Sequence, residues 1–313
     1  MWQRKSKPVT QKRKRTSSPD LRLFGLFFFF LVSGCGWKDT YILTADEGTP
    51  LLLSLRVCPL HDYAWQDRLG TGQPVDMKPE EERQALVQDL VHYPADLLIL
   101  RGIGSSAALD HLKESLEERG DTYQTWYHSG PTPYKGLGFL TASGVTATAL
   151  DLSPVPYSIG PRRYLPMVGG IQISLSDGRT LLAVNAQLPT SDQSYERRRN
   201  EARLLAQQLR PLLTEDALVL VSIQSRENSD SPITRLLTDL PLEWLRPVDD
   251  RGDSWVYRDP EGLEYRNDQW LFASPALKEL ITGQGNILDT PYLRAAGPYR
   301  HQRLNVLSIP QPE

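Results

Sequence analysis

Apolar residues in this chain fall into short runs of strand length, interrupted by a few stretches of helical period. Leu51–Val57 (LLLSLRV), Leu97–Leu100 (LLIL) and Leu218–Ile223 (LVLVSI) are nearly continuous apolar runs, the pattern of strands buried on both faces. Further strands are predicted at Tyr123–His128, Gly136–Thr141, Thr146–Leu150, Ile171–Leu175 and Leu181–Ala186, with shorter ones at Trp255–Tyr257, Trp270–Ala273 and Asn305–Ile309. Three helices stand among them. One opens at Met77-Lys78-Pro79-Glu80, with Pro in the first turn and acids at the positive end, and stops before Pro94. A second covers Ala107–Glu118, and a third, rich in arginine balanced by Glu196 and Glu201, covers about Tyr195–Leu209 and reads as a solvated face. Many strands, few helices and no internal repeat predict an α/β (α+β) four-layer sandwich: two mixed or antiparallel β-sheets packed face to face with helices outside.

Charge changes the picture at the N-terminus. Residues 1–22 carry eight Lys and Arg against Asp20 alone; the rest of the chain holds 27 basic and 37 acidic groups, a net of -10. So acidic a body makes nucleic acid an unfavoured partner, because affinity for it comes mostly from neutralising phosphates. Behind the basic block lies Leu23–Val32 (LFGLFFFFLV), too short for a membrane-spanning helix of about 20 residues. A positive segment, a short apolar run and small residues ahead of a cut site describe a secretory signal. Val32-Ser33-Gly34-Cys35 is similar to the bacterial lipobox, whose cysteine receives lipid; an uncleaved anchor with an incidental cysteine is the alternative. The expected organisation is a lipoprotein signal peptide at 1–34, a tether at 35–49 and one domain at 50–313. The lipid on Cys35 would tether an exported protein of the cell envelope to a membrane, inner or outer.

Candidate chemistry is sparse. Cys58 is expected to be a buried thiol, and Cys58–His61 is a metal half-site without a visible second half. Gly102-Ile103-Gly104-Ser105-Ser106-Ala107 spells a GxGxxA turn between strand and helix, but no acid ends the next strand and a run of βαβ units is lacking. Arg251-Gly252-Asp253 spells an adhesion tripeptide inside an acidic turn.

Several collinear segments do carry a resemblance. They are Trp65-Gln66-Asp67-Arg68, Lys78-Pro79-Glu80-Glu81-Glu82-Arg83, Arg198-Arg199-Asn200-Glu201-Ala202, Asp253-Ser254-Trp255-Val256-Tyr257 and Ser274-Pro275 after a strand. Together they resemble exported bacterial members of the endonuclease/exonuclease/phosphatase superfamily, metal-dependent phosphoesterases, over about residues 50–310. What this resemblance implies for the site is a loss. The family's first-strand Asn matches Arg56, and its Gln-Glu pair, the Glu being the main metal ligand, matches Arg101 and Gly102. The His of its "N-x-HL" strand end matches Gln187; the Asp and Asn of its "GD-x-N" turn match Ser222 and Gln224. Its late Asp matches Gln269, with Asp268 one residue away and reachable only through a bulge. The final "SDH" turn matches Tyr299-Arg300-His301, so only His301 survives.

Phosphodiester hydrolysis needs a cation on the phosphoryl oxygens and a base for water. Magnesium is held by hard oxygen donors, chiefly carboxylates. With Gly102, Ser222, Gln269 and Arg300 in place of carboxylates, no metal or other cofactor and no turnover by the family mechanism are expected. Arg56, Arg300 and His301 would instead suit a phosphorylated or other anionic ligand, or simply fill vacated space and pair with nearby acids. Three functions follow from the sequence: a non-catalytic lipoprotein for binding or scaffolding, a residual metal-dependent (Mg or Mn) phosphodiesterase or nuclease, and a purely structural envelope protein.

Overall fold

The structure, a computed structural model, describes residues 51–59, 80–130, 136–152, 154–189, 193–225, 227–228, 230–254, 257–258, 264–265, 270–281, 285–288, 301–302 and 304–310. The chain divides into two units, Met1–Ile42 and Leu43–Glu313. The first unit lies outside the described residues, as do Cys35 and the whole of the signal and tether segments up to residue 49. So do His61, Asp268, Gln269 and Arg300.

The second unit runs β1 (Leu51–Pro59), α1 (Glu80–His92), β2 (Leu97–Ile103), α2 (Ser106–Glu117), β3 (Tyr123–Ser129), β4 (Gly136–Ala142) and β5 (Thr146–Leu150). A small hairpin follows, β6 (Tyr157–Ile159) and β7 (Arg162–Tyr164), then β8 (Met167–Ser174), β9 (Thr180–Gln187), α3 (Tyr195–Leu209), β10 (Leu218–Gln224) and α4 (Pro232–Thr238). The last elements are β11 (Glu243–Leu245), β12 (Tyr257–Arg258), β13 (Glu264–Tyr265), β14 (Trp270–Ala273), α5 (Pro275–Leu280), β15 (Asn286–Leu288), β16 (His301–Gln302) and β17 (Leu304–Pro310).

Two six-stranded sheets are formed, in the orders β15-β17-β1-β2-β4-β3 and β11-β14-β10-β9-β8-β5. Each has one parallel pair at its centre, β1 with β2 and β9 with β10, flanked on both sides by antiparallel neighbours. The parallel strands are joined through α1 in one sheet and α3 in the other. One βαβ crossover per sheet is therefore present, a symmetry in strand order that sequence self-similarity does not carry.

Strand alternation explains the layers. Leu97, Ile99, Phe139, Leu307 and Ile309 of the first sheet meet Ile171, Ile173, Leu181, Ala183, Leu218, Leu220 and Leu271 of the second in one inter-sheet core. The intervening residues face outward. Leu98, Leu100 and Leu140 pack under Leu86 and Leu90 of α1 and Leu109, Leu112 and Leu116 of α2. Val184, Val219, Val221, Trp270 and Phe272 pack under Ala202, Leu205 and Leu209 of α3 and Ile233 and Leu237 of α4. The four-layer sandwich expected from the sequence is what these contacts build. Helices start at serine caps: Ser105, Ser194, Ser231 and Ser274 accept from the backbone N–H three residues on, and the last two are followed by Pro at the first helical position. Among the described residues no helix is long and apolar enough to cross a membrane.

The α3 arginines are only partly a solvated face. Arg199 and Arg203 are exposed, but Arg198 pairs with Glu227, and Arg197 donates to Glu201 at 3.1 Å while its guanidinium lies 4.6 Å above the Tyr164 ring. Tyr157 stacks on Tyr164 at 5.4 Å and donates its hydroxyl to Glu201 at 2.7 Å. These contacts pin the β6–β7 hairpin to the helix. Burial pushes the Glu201 carboxyl up, against the lowering by its Tyr157 and Arg197 donors, and burial followed by Glu201 pushes the Tyr157 phenol up as well. Tyr157→Phe is expected to cost about 1–2 kcal/mol, since it leaves a buried carboxylate short of a donor, and to lower the thermal midpoint by several degrees. Thermal unfolding of the variant checks this. The Arg251-Gly252-Asp253 tripeptide is tied into a turn: the backbone N–H groups of Arg251 and Asp253 both donate to the Asp249 carboxylate, at 2.9 and 2.7 Å.

Candidate functional site

Crevices at the carboxyl ends of parallel strands are where open α/β sheets bind ligands, and here the ends of β2, β9 and β10 meet between the two sheets. Alternation assigns their last residues to faces. In β9 and β10, Leu181, Ala183, Leu218 and Leu220 face the inter-sheet core, so Asn185, Gln187, Ser222 and Gln224 continue the same rows toward the strand ends. In β2, Leu97 and Ile99 set the row that Arg101 continues.

Cross-strand register arranges these residues in a layer. In the first sheet Arg101 is beside Leu137, which is beside His128. In the second, Gly169 is beside Asn185 and Asn185 beside Ser222. The two rows touch. Asn185 Nδ2 donates to the Leu100 carbonyl at 2.9 Å, and His128 lies against Gly169, where an added Cβ would fall 2.2 Å from the imidazole Cγ. His128 also meets Phe139 edge-on, with ring centroids 5.8 Å apart. Arg101, Asn185 and Ser222 are all buried, at 1%, 0% and 0% exposure. One step toward the strand ends, Gln187 and Gln224 are register partners and half-buried. The inter-sheet space thus changes from an apolar core to a polar floor of Arg101, His128, Asn185 and Ser222, with two glutamines at its rim.

Three polar atoms of this layer, Asn185 Oδ1, Gln187 Oε1 and Ser222 Oγ, are buried without a hydrogen-bond partner among the described residues. Burial lowers the His128 pKa, against a hydrogen bond with the Gly170 backbone that raises it. The neutral imidazole is therefore the form that the folded state favours, and its contribution to stability is lost as pH falls below the ordinary histidine value toward the depressed one.

Of the positions matched to the family's catalytic residues, the structure brings together Gln187, Ser222 and Gln224, with Arg101 in the same layer. Gly102 adjoins them at a bulge between Arg101 and Ile103, with φ of +73°. Arg56 is in register with Leu98 and Val306, one residue off the row of Ile99 and Arg101. Leu98 belongs to the helix-facing layer. His301 starts β16 and pairs with Arg258 in the small sheet β13-β12-β16. Among the described residues no group of three His, Cys, Asp or Glu is placed to hold a metal ion. His128 is the site residue that sequence reasoning missed. The signal was Gly169-Gly170 inside an otherwise apolar strand, which marks close approach of a neighbour.

No family model matches the sequence, and no curated protein is significantly similar to it. Solved structures do share the fold. An endonuclease/exonuclease/phosphatase from Bacteroides vulgatus is similar with a TM-score of 0.59 at 12% identity, covering 83% of this chain and 99% of that one. The human Nocturnin catalytic domain, solved with a bound sulfate anion, is similar with a TM-score of 0.58 at 14% identity, covering 84% and 96%. D. rerio TDP2, complexed with a single-strand DNA product, gives 0.54 at 13% identity, covering 81% and 98%.

Proposed function

Given the fold of the endonuclease/exonuclease/phosphatase structures, we propose that this chain is a non-catalytic binding or scaffolding domain, exported and held to a membrane by lipid on Cys35. One observation supports the loss of catalysis above others. Where the resemblance asks for the metal-ligand Glu and the general-base Asp, the mouth carries Gly102 at a left-handed bulge and a fully buried Ser222 in register with Asn185. Amide and hydroxyl oxygens carry no formal charge, so a divalent ion there would lack the carboxylate ligands that hold magnesium.

The ligand of this reading is a phosphorylated or otherwise anionic molecule, gathered by Arg56, Arg300 and His301. Guanidinium groups bind phosphoryl oxygens bidentately without a metal. Nucleic acid is disfavoured by the acidic body. Titrating inorganic phosphate and phosphorylated small molecules into the purified protein tests this. Binding is expected to weaken by about tenfold or more in Arg300→Ala, in line with the loss of a charge-assisted bond, and less in Arg56→Ala. Equal, negligible binding by all three proteins would remove the anion pocket.

A further inference from the structure

The two outer layers of the sandwich carry opposite charge. Over the first sheet, α1 and α2 hold seven acidic residues against two basic, a net of -5. On the other side, α3, α4 and the β6–β7 hairpin pinned to α3 hold seven basic residues against two acidic, a net of +5. Ion pairing divides the basic set. Arg197 and Arg198 are matched by Glu201 and Glu227. Arg162, Arg163, Arg199, Arg203 and Arg235 are exposed, and none of the five forms an ion pair among the described residues. Arg199 and Arg203 stand one turn apart on α3, a spacing at which like charges on a helix repel. Glu196 is the sole exposed acid of that helix. A layer that leaves these guanidinium groups unmatched fits a surface of negative charge outside the domain.

We propose that this basic layer, the hairpin with the outer sides of α3 and α4, lies against an anionic phospholipid surface, that of the membrane receiving the lipid on Cys35. The choice of partner rests on the lipid anchorage proposed above. Fifteen residues separate Cys35 from Leu51, a span of at most about 50 Å, so the lipid alone would leave the domain free to turn. Each unmatched arginine near a bilayer of negative headgroups adds attraction, and the guanidinium fork suits phosphodiester oxygens. The acidic helices do not oppose this contact. They lie behind two sheets packed about 10 Å apart, beyond the Debye length of about 8 Å at physiological salt. Turned toward the membrane, that acidic layer would be repelled, so charge selects one face.

The test uses the full chain with vesicles of phosphatidylcholine alone or mixed with phosphatidylglycerol, and phenylglyoxal labelling of each arginine read by mass spectrometry. Labelling of Arg162, Arg163, Arg199 and Arg203 is expected to fall by about fivefold on the anionic vesicles, the attraction of about one arginine, and to recover at high salt. Arg119, exposed beyond the end of α2, is expected to label equally on both. In Arg199→Glu/Arg203→Glu the protection of Arg162 and Arg163 is expected to be lost. Thermal unfolding establishes that this variant, altered at two exposed helical positions, remains folded. Equal labelling of the four arginines on the two vesicle types overturns the proposal and turns the layer toward an acidic protein instead. An equal fall at Arg119 also overturns it, because the contact then has no preferred face. Failure to partition into phosphatidylcholine removes the lipid anchorage alone, while the labelling pattern on the anionic vesicles still decides the face.

Discussion

Gly169→Ala is expected to destabilise the domain by about 3 kcal/mol, at the upper end for overpacking a core. The new Cβ would lie 2.2, 2.5 and 2.7 Å from Cγ, Cδ2 and Cβ of His128. These atoms are at the root of the side chain, so no rotation of a flexible tip relieves the clash. The imidazole also meets Phe139 edge-on, with ring centroids 5.8 Å apart, which narrows the space for it to move. The two sheets must separate locally at the layer that holds Arg101 and Asn185. His128→Ala alone is expected to cost less, and the double variant Gly169→Ala/His128→Ala to regain most of the loss, giving a coupling energy of about 2 kcal/mol in a double-mutant cycle. Chemical denaturation of the four proteins measures it. Additive effects would show that the ring is not wedged between the sheets.

Gly102→Glu asks whether the matched metal-ligand position can be refilled. It is expected to cost about 1–2 kcal/mol and to create no magnesium site. Gly102 has φ of +73°, where a side chain other than glycine's is strained by roughly that amount. The bulge also shifts register between Arg101 and Ile103, so the residues on either side face opposite layers: Arg101 continues the inter-sheet row, and Ile103 packs with the helices. A single carboxylate among neutral side chains such as Ser222 and Gln187 supplies too few hard, charged donors to gather a divalent ion. Thermal unfolding with and without magnesium reads both effects. A magnesium-dependent rise in the midpoint of Gly102→Glu, absent from the parent, would mean that the site is one substitution from metal binding.

How much of this was legible in the sequence depended on burial. Strands enclosed on both faces, such as Leu97–Leu100 and Leu218–Ile223, announce themselves as continuous apolar runs, and Ser222 and Gln224 lie at the end of the second. The β6–β7 hairpin was not legible, because Tyr157 and Tyr164 are held by polar and stacking contacts to α3 rather than by an apolar face. Short α4 and α5 escaped periodicity, although Ser231-Pro232 and Ser274-Pro275 are caps that mark them. Of the candidate site, the identities at single positions were readable, but the layer was not. Arg101, His128, Asn185 and Ser222 come from four strands and two sheets, and only cross-strand register brings them level. Arg56 shows the converse: its place near a strand end suggested the mouth, while its register with Leu98 sets it one residue off that row.

Phosphodiester turnover under metal is the most direct measurement of the central claim. The full chain, incubated with a generic chromogenic phosphodiester and magnesium or manganese, is predicted to release product at the rate of buffer alone, before and after chelation. Metal-stimulated release that disappears in His301→Ala or Ser222→Ala would contradict the account.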